Sequence, residues 1–258
     1  MSDQATKARQ FTELHAKGDP IIIYNAWDGG SARAIASAGA KAIATGDHPV
    51  GFSHGYTNDD FDGFTFESYL STIKDIARAI DLPFSVDISN AFDLDDEGLR
   101  TRIKQLLEIG VIGINFEDRS EDTEQGLVSA EEHAARIKTI RAVADEAGIP
   151  LFINARTDLF AIMENHEELL DEALARAEAY AAAGANGFFV PGLMNIELIK
   201  QLCERSPLPV NIIRLPGAPG TSELIDAGVS RISYGPVVQM AMTEWLQNKA
   251  KEVFTSDR

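Results

Sequence analysis

The strongest constraint in this sequence is an alternation of short apolar runs and amphipathic segments that continues almost from end to end. Eight runs rich in β-branched and aromatic residues are typical of buried parallel strands, and they cover Ile21–Trp27, Ala42–Asp47, Phe84–Ser89, Gly113–Asp118, Leu151–Thr157, Gly187–Pro191, Val210–Arg214 and Arg231–Tyr234. Segments of helical periodicity separate and follow them, over Ser31–Ala38, Phe66–Ile80, Glu97–Ile109, Ala130–Ala147, Glu167–Ala183, Ile196–Glu204, Ser222–Ala227 and Val237–Val253. The pattern predicts repeated strand–helix units in one parallel sheet.

The residues that precede the runs also repeat, in pairs. A proline precedes each odd-numbered run, and a glycine with a small residue precedes each even-numbered one. Glycine adopts the left-handed conformation that ends many helices, so each glycine fits a helix-to-strand turn. Eight units in roughly 250 residues match one (β/α)8 TIM barrel. We therefore predict a single domain over residues 1–258, with residues 1–18 as an N-terminal helix covering the barrel bottom; a doubly wound open sheet is the alternative.

Two helix starts carry a more specific signal. Ser129-x-x-Glu132 and Asn165-x-x-Glu168 have the spacing of a capping box. In that motif an oxygen of the first side chain accepts a hydrogen bond from a free amide of the first helical turn. We therefore expect helices to begin directly after Ser129 and Asn165.

The net charge and the cysteine content limit which binding partners and which cellular compartment we expect. Forty Asp and Glu residues oppose 23 Lys and Arg residues, a net charge of −17. A surface this acidic repels phosphate backbones and anionic lipids, so we expect no nucleic-acid partner and no membrane partner. The single cysteine, Cys203, has no intramolecular disulfide partner. The polar N-terminus lacks a signal-peptide core, and no apolar run approaches the ~20 residues of a membrane helix. These features predict a cytoplasmic protein.

Three charged residues stand at the ends of neighbouring predicted strands, where a barrel of this kind carries its site. Asp87 lies in the third strand, Glu117 in the fourth and Arg156 in the fifth. Two carboxylates facing one cavity need a counter-charge, and Mg²⁺ or Mn²⁺ supplies it with oxygen ligands. The guanidinium of Arg156 matches a substrate carboxylate. The alternative is an ion pair of Arg156 with Glu117 or Asp158 that binds nothing further.

Motifs at these strand ends resemble those of the isocitrate lyase/phosphoenolpyruvate mutase superfamily. The matching segments follow in order between residues 10 and 240 and are Asn25–Arg33, Ser53–Tyr56, Val86–Ile88, Gly113–Asp118, Ile153–Asp158 and Gly184–Gly192. The resemblance implies a (β/α)8 barrel, often with its last helix exchanged between subunits of a homodimer or homotetramer. It also implies Mg²⁺-assisted making or breaking of C–C or P–C bonds beside the carboxylate of a 2-oxo acid, through an enolate-like intermediate.

The same resemblance implies roles for individual residues. These are metal binding by Asp87 and Glu117, substrate binding by Trp27, Gly46, Asp47, His48 and Arg156, and catalytic roles for Asp47, His48, Asn58 and Arg156. The amides of the turn at Gly46–His48 would hold the enolate oxygen. Asn58 would lie on a loop that closes over the site.

The chain also departs from the family pattern. It lacks the Lys-Lys/Arg-Cys-Gly-His loop of the cysteine-dependent lyases, and Cys203 lies on a predicted helix far from the strand ends. Ser89 stands where the family has a second carboxylate on strand three. Asn58 stands where the family has an aspartate, although Asp59 and Asp60 follow at once. A carboxylate at Asp47 would repel a developing oxyanion unless it turns away or binds a cation.

The sequence thus predicts a Mg²⁺-dependent lyase or mutase acting on a small 2-oxo or dicarboxylic acid such as oxaloacetate, a malate derivative or phosphonopyruvate. C–C chemistry is favoured over P–C chemistry, because strand six ends in Val190-Pro191-Gly192 and offers no cation for a phosphonate. The alternative, motivated by Ser89 and Asn58, is a catalytically degenerate barrel that binds a carboxylate metabolite. Trp245 and Phe254, at the end of the chain, fit an apolar contact with a second subunit.

Overall fold

The eight predicted strands form one parallel sheet. The computed structural model describes residues 3–58, 61–91, 95–120, 123–124 and 126–256. The strands are β1 Ile21–Ile23, β2 Ile43–Ala44, β3 Phe84–Asp87, β4 Gly113–Glu117, β5 Phe152–Arg156, β6 Gly187–Phe189, β7 Val210–Ile213 and β8 Arg231–Ser233. Their order is β1-β8-β7-β6-β5-β4-β3-β2. Just beyond β1 and β2, Ala26 and Thr45 form a parallel bridge. The sheet is therefore a nearly closed barrel, which confirms the predicted (β/α)8 class over the open sheet.

The helices alternate with the strands as the sequence predicts. They are α1 Asp3–Glu13, α2 Gly29–Ser37, α3 Asp47–Ser53, α4 Phe66–Ala79, α5 Asp96–Ile109, α6 Ala130–Glu146, α7 Leu159–Ile162, α8 Leu170–Ala182, α9 Ile196–Arg205, α10 Thr221–Asp226 and α11 Val237–Ser256. Two of them, α3 and α7, occupy stretches that the sequence pattern assigned to loops. Of the helices described, none has the length and apolar content needed to cross a bilayer.

Helix α1 packs against one end of the barrel and ends at Glu13, whereas the sequence suggested a helical segment up to residue 18. Its Phe11 is fully buried and meets Phe152 of β5 edge to face, with ring centroids 5.3 Å apart. The ring of His15, just beyond the helix, stacks on Phe152 at 4.0 Å. An aromatic cluster from α1 and β5 therefore fills the end of the barrel opposite the carboxyl ends of the strands.

The two predicted helix caps differ in the structure. Ser129 does cap α6, since its side chain accepts a hydrogen bond from the amide of Glu132. Asn165 instead adopts a left-handed conformation (φ 60°) and caps nothing with its side chain. A capping side chain needs extended backbone at that position. The chain consequently passes through a 3₁₀ turn at His166–Leu169 before α8 begins.

Three asparagine side chains cross the barrel interior as a hydrogen-bonded ladder. Asn154 of β5 donates from Nδ2 to Oδ1 of Asn115 (2.9 Å) and to Oδ1 of Asn211 (3.0 Å). Asn115 in turn donates to Oδ2 of Asp87 at 3.2 Å. The ladder links Asp87 on β3 to the opposite wall of the barrel.

The last helix is exposed along most of its length and carries large apolar side chains. Trp245 is 56% exposed and Phe254 75% exposed. Where α11 leaves the barrel, a groove of about 920 Å³ opens against α2, and Trp27, Ile35 and Trp245 are among its lining residues. Exposed apolar side chains grouped on one helix are typical of surfaces that contact another molecule.

The Phe11→Ala variant tests the role of α1. Deleting a fully buried aromatic ring leaves a cavity, and we expect it to lower the free energy of unfolding by about 3–5 kcal/mol. Urea denaturation followed by circular dichroism measures the change. The matched control is Gln10→Ala, which alters an exposed side chain on the same helix and should stay within about 0.5 kcal/mol of wild type. Equal stability of the two variants would contradict the structure.

Candidate active site

Asp87 lies at the carboxyl end of β3 and is 6% exposed. Its Oδ1 accepts a hydrogen bond from the amide of Ser89 (3.1 Å) and its Oδ2 one from Asn115. Burial, together with the nearby charge of Asp47, raises the pKa of Asp87 from 3.8 to about 6. The carboxylate is therefore held firmly in place without a full compensating charge.

Arg156, at the end of β5, joins the carboxylates of neighbouring elements. It pairs in register with Glu117 of β4, and its Nη1 lies 2.8 Å from Glu117 Oε2 and 3.9 Å from Asp87 Oδ2. Its Nε and Nη2 donate to the two carboxylate oxygens of Asp158 at 2.6 and 3.0 Å. Arg156 therefore forms ion pairs with both Glu117 and Asp158, the two partners that its position in the sequence suggested.

The buried environment changes the pKa values of both Glu117 and Arg156. It raises the pKa of Glu117 well above its ordinary value, against the opposing effect of Arg156. Burial alone would lower the pKa of Arg156, but Glu117 and Asp158 raise it above its ordinary value. The guanidinium is therefore a permanent charge, while Glu117 and Asp87 are less stable as anions than ordinary carboxylates.

A second layer of buried polar groups holds Asp158, and the sequence pattern did not identify it. The Asp158 amide donates to Asp118 Oδ1 (3.1 Å). The other oxygen of Asp118 accepts from Arg176 Nη1 and from the hydroxyl of Tyr180, both at 2.9 Å. Arg176 and Tyr180 come from α8, about 60 residues further along the chain, so no local motif reveals this contact.

Asp47 and His48 begin α3 immediately after β2. Asp47 Oδ1 accepts from the His48 amide (2.7 Å) and lies 3.0 Å from His48 Nδ1, while its Oδ2 accepts from Ser89 Oγ at 2.7 Å. Ser89 itself adopts a left-handed conformation (φ 49°), which is strained for serine and typical of functional sites. The Asp47 carboxylate therefore faces the end of β3 and does not turn away from the site.

The other predicted site residues lie further out. Trp27 lines the groove beside α11, and its amide donates to Ser31 at the start of α2. Asn58 is exposed in a turn, while Asp59 and Asp60 lie outside the described residues. Cys203 is buried on α9, where burial raises the pKa of its thiol to about 12, so the structure supports no nucleophilic role for it.

The donor set suits a hard divalent cation. Asp87 and Glu117 offer buried carboxylate oxygens with raised pKa values, and a cation would relieve their mutual repulsion. Within the described ranges no three His, Cys, Asp or Glu side chains form a ready-made site. The guanidinium of Arg156 contacts both carboxylates and occupies part of the space that a cation would need. A cation would therefore draw on Asp87, Glu117 and water.

A buried acidic cluster surrounds one arginine at the carboxyl ends of the barrel strands, which is where (β/α)8 enzymes carry their active sites. Comparison with known proteins gives its family. The chain belongs to the phosphoenolpyruvate phosphomutase family, whose model matches residues 11–254, within the phosphoenolpyruvate mutase/isocitrate lyase superfamily.

Individual relatives agree with this assignment. The chain is 41% identical to a Burkholderia cenocepacia J2315 protein provisionally described as a phosphonomutase, with TM-score 0.91, covering 96% of this chain and 99% of that one. It is 33% identical to the 2-methylisocitrate lyase of Bacillus subtilis strain 168, over 81% of this chain and 67% of the relative. It is 26% identical to oxaloacetate decarboxylase 2 of Pseudomonas fluorescens Pf0-1, over 80% and 66%. The homologues are lyases and mutases acting on small acids.

The Asp87→Asn variant tests the charge balance of the site. Because the folded-state pKa of Asp87 is raised from 3.8 to about 6, its ionisation costs stability as pH rises through that window, and the cost persists at neutral pH. Removing the charge should raise the melting temperature of EDTA-treated protein near neutral pH by about 2–4 °C, the shift that about 1 kcal/mol produces at this size.

The control for this prediction is Asp226→Asn, a change at an exposed carboxylate on α10. It should move the melting temperature by less than about 1 °C, since isolated surface substitutions have small effects. A melting temperature of Asp87→Asn below that of wild type would show that the buried carboxylate is not destabilising.

Proposed function

We propose that the protein is a Mg²⁺-dependent, or Mn²⁺-dependent, lyase or mutase that makes or breaks a C–C bond in a small 2-oxo or dicarboxylic acid through an enolate-like intermediate. The observation that carries the proposal is the contact of Asp87, Glu117 and Arg156 at the ends of β3, β4 and β5. Buried anionic oxygens and a cationic fork in one place suit a cation and a substrate carboxylate together.

Each residue then has a definite task. Asp87 and Glu117 would hold the cation, which when bound supplies positive charge to a developing enolate oxygen. Arg156 is oriented by Asp158, so its Nη1 is the donor that a substrate carboxylate shares with or takes from Glu117. Gly46 and the first two residues of α3 follow β2 closely, although the His48 amide is already bonded to Asp47. Asn58 would act from the loop beyond α3.

The end of β6 favours C–C over P–C chemistry. Val190 and Pro191 are buried there, and no cationic side chain stands beside them in the sequence. Gly192 is packed so closely against Phe160 that an added Cβ would lie 2.3 Å from its carbonyl oxygen. The residues at the end of β6 therefore carry no cationic side chain of their own for a phosphonate group, and the guanidinium over Phe189 is that of Arg156.

The second candidate function is a degenerate barrel that binds a carboxylate metabolite without turnover. The occupied His48 amide and the Asp47 carboxylate beside it favour this alternative, because both weaken an oxyanion site. The residues that bind the carboxylate would be the same in the enzyme and in the degenerate barrel, so only a turnover measurement distinguishes the two candidate functions.

A ligand panel tests the proposal. We expect oxalate and pyruvate with Mg²⁺ to raise the melting temperature, and expect oxaloacetate, a malate derivative or phosphonopyruvate to be consumed, as measured by NMR. Glu117→Ala and Asp87→Ala should lower turnover at least about 100-fold, the scale of losing one electrostatic group. The control is Glu197→Gln, an exposed residue of α9. Binding without turnover would support the degenerate barrel. A protein that neither binds nor consumes any compound of the panel would contradict both candidate functions.

We also propose a homodimer or homotetramer in which α11 packs on the barrel of a neighbouring subunit. The exposed Trp245 and Phe254 on α11, and the groove that Trp27 and Ile35 line, support this arrangement. A cytoplasmic location is part of the same proposal, since the lone cysteine is unpaired and buried.

Substitution of Trp245 tests the helix contact. Trp245→Glu places a charge on the apolar side of α11, and we expect the protein to shift to monomers in analytical ultracentrifugation. The control is Gln247→Glu, which adds the same charge two residues away on the same exposed helix and should leave the assembly unchanged. A wild-type protein that sediments as a monomer at tens of micromolar would contradict the proposal.

A further inference from the structure

His48 is oriented by contacts on two sides. Its Nδ1 lies 3.0 Å from Asp47 Oδ1, and Asp47 is itself fixed by Ser89 Oγ. The imidazole ring stacks on Phe61 with centroids 4.3 Å apart and planes 9° from parallel, and Phe52 meets it edge to face at 5.8 Å. The position and the plane of the ring are therefore both determined.

These contacts also assign the protons of the ring. An ionised carboxylate only accepts hydrogen bonds, so Nδ1 carries the proton in the bond to Asp47. The neutral ring then has its lone pair on Nε2, and no described residue forms a hydrogen bond with that atom. The side chain is 48% exposed, so Nε2 is accessible as a base.

The surroundings place this base within the site already described. The charges that act on His48 are those of Asp47 on its own helix, Asp87 on β3 and Arg156 on β5. The hydrogen bond to Asp47 is the largest influence, and it raises the pKa of His48. His48 therefore lies at the edge of the acidic cluster, with Nε2 open to exchange a proton with a bound molecule.

The other histidines do not match this position. His15 and His133 are buried, and burial lowers the pKa of each to about 3. His54 bonds Thr72 through Nε2, and His166 packs against Phe160 beyond β5. Arg156 stays charged at every relevant pH.

We propose that His48 moves the proton at the reacting carbon of the enolate, with Asp47 as its positioning residue. With pyruvate, Nε2 removes a C3 proton: the C3–H bond breaks, an Nε2–H bond forms, and the electron pair becomes the C2=C3 bond with the charge on the C2 oxygen. The reverse step returns a proton to C3. The proposal rests on the enolate chemistry of the proposed function and adds the identity of its acid and base.

Exchange of the methyl hydrogens of pyruvate in D₂O, followed by proton NMR with Mg²⁺ present, tests the proposal. We expect the wild-type protein to exchange them and His48→Gln to lose at least about 100-fold of the rate, the scale of a general base. The His48→Gln protein should still be stabilised by oxalate with Mg²⁺. The control is His54→Gln, the same replacement in the same segment, which should keep the wild-type rate.

The Asp47→Asn variant separates positioning from folding. The neutral ring is the active base, so the exchange rate falls as pH drops below the His48 pKa. Asp47 raises that pKa, and its removal should therefore move this acid limb to lower pH, an effect that a structural defect would not produce.

Each outcome has one meaning. Wild-type turnover of the acid panel with exchange in His48→Gln within threefold of wild type would overturn the role of His48 and leave the proposed function standing. An unmoved acid limb in Asp47→Asn would overturn the role of Asp47. Neither exchange nor turnover by the wild-type protein would overturn the proposed function, and this inference with it.

Discussion

The bidentate ion pair between Arg156 and Asp158 is the interaction on which the carboxyl end of the barrel depends. It fixes the only guanidinium that contacts both Glu117 and Asp87 among the described residues. Asp158 is fully buried, and without Arg156 it would keep only the longer contact with Arg119 Nη1, at 3.6 Å, among the described ion pairs. Losing Arg156 should therefore cost at most about 3–5 kcal/mol of stability. Through its backbone amide, Asp158 also continues into the hydrogen bonds of Asp118 with α8. The outer helices and the central charges are therefore one connected system.

The barrel could be predicted because its signals are local. Proline and glycine mark the start of each strand, and the apolar runs are long enough to identify. These strand predictions also placed Asp87, Glu117 and Arg156 correctly at strand ends, and the structure brings the three side chains together.

The contacts that decide the chemistry of the site were not predictable. The bond between Asp47 and Ser89 joins residues 42 positions apart, and it depends on the left-handed backbone of Ser89. Helix α3 begins at Asp47, where the sequence reads as a strand followed by a loop. The failed cap at Asn165 has the same origin, because an asparagine side chain can cap a helix only where the backbone at that position is extended.

The asparagine ladder fixes the direction in which hydrogen bonds are donated inside the barrel. Each amide has a donor end and an acceptor end, so an ionised Asp87, which can only accept, forces Asn115 to present its NH₂ group. That choice turns the Asn115 oxygen toward Asn154, whose NH₂ group then also meets the oxygen of Asn211. At the far end of the ladder, Asn211 donates from Nδ2 to the backbone carbonyl oxygens of Ile212 and Arg231, so its oxygen is the group left to face Asn154. The direction of every donor along this row is therefore set from both ends, by the charge of Asp87 at β3 and by backbone carbonyl groups at β7.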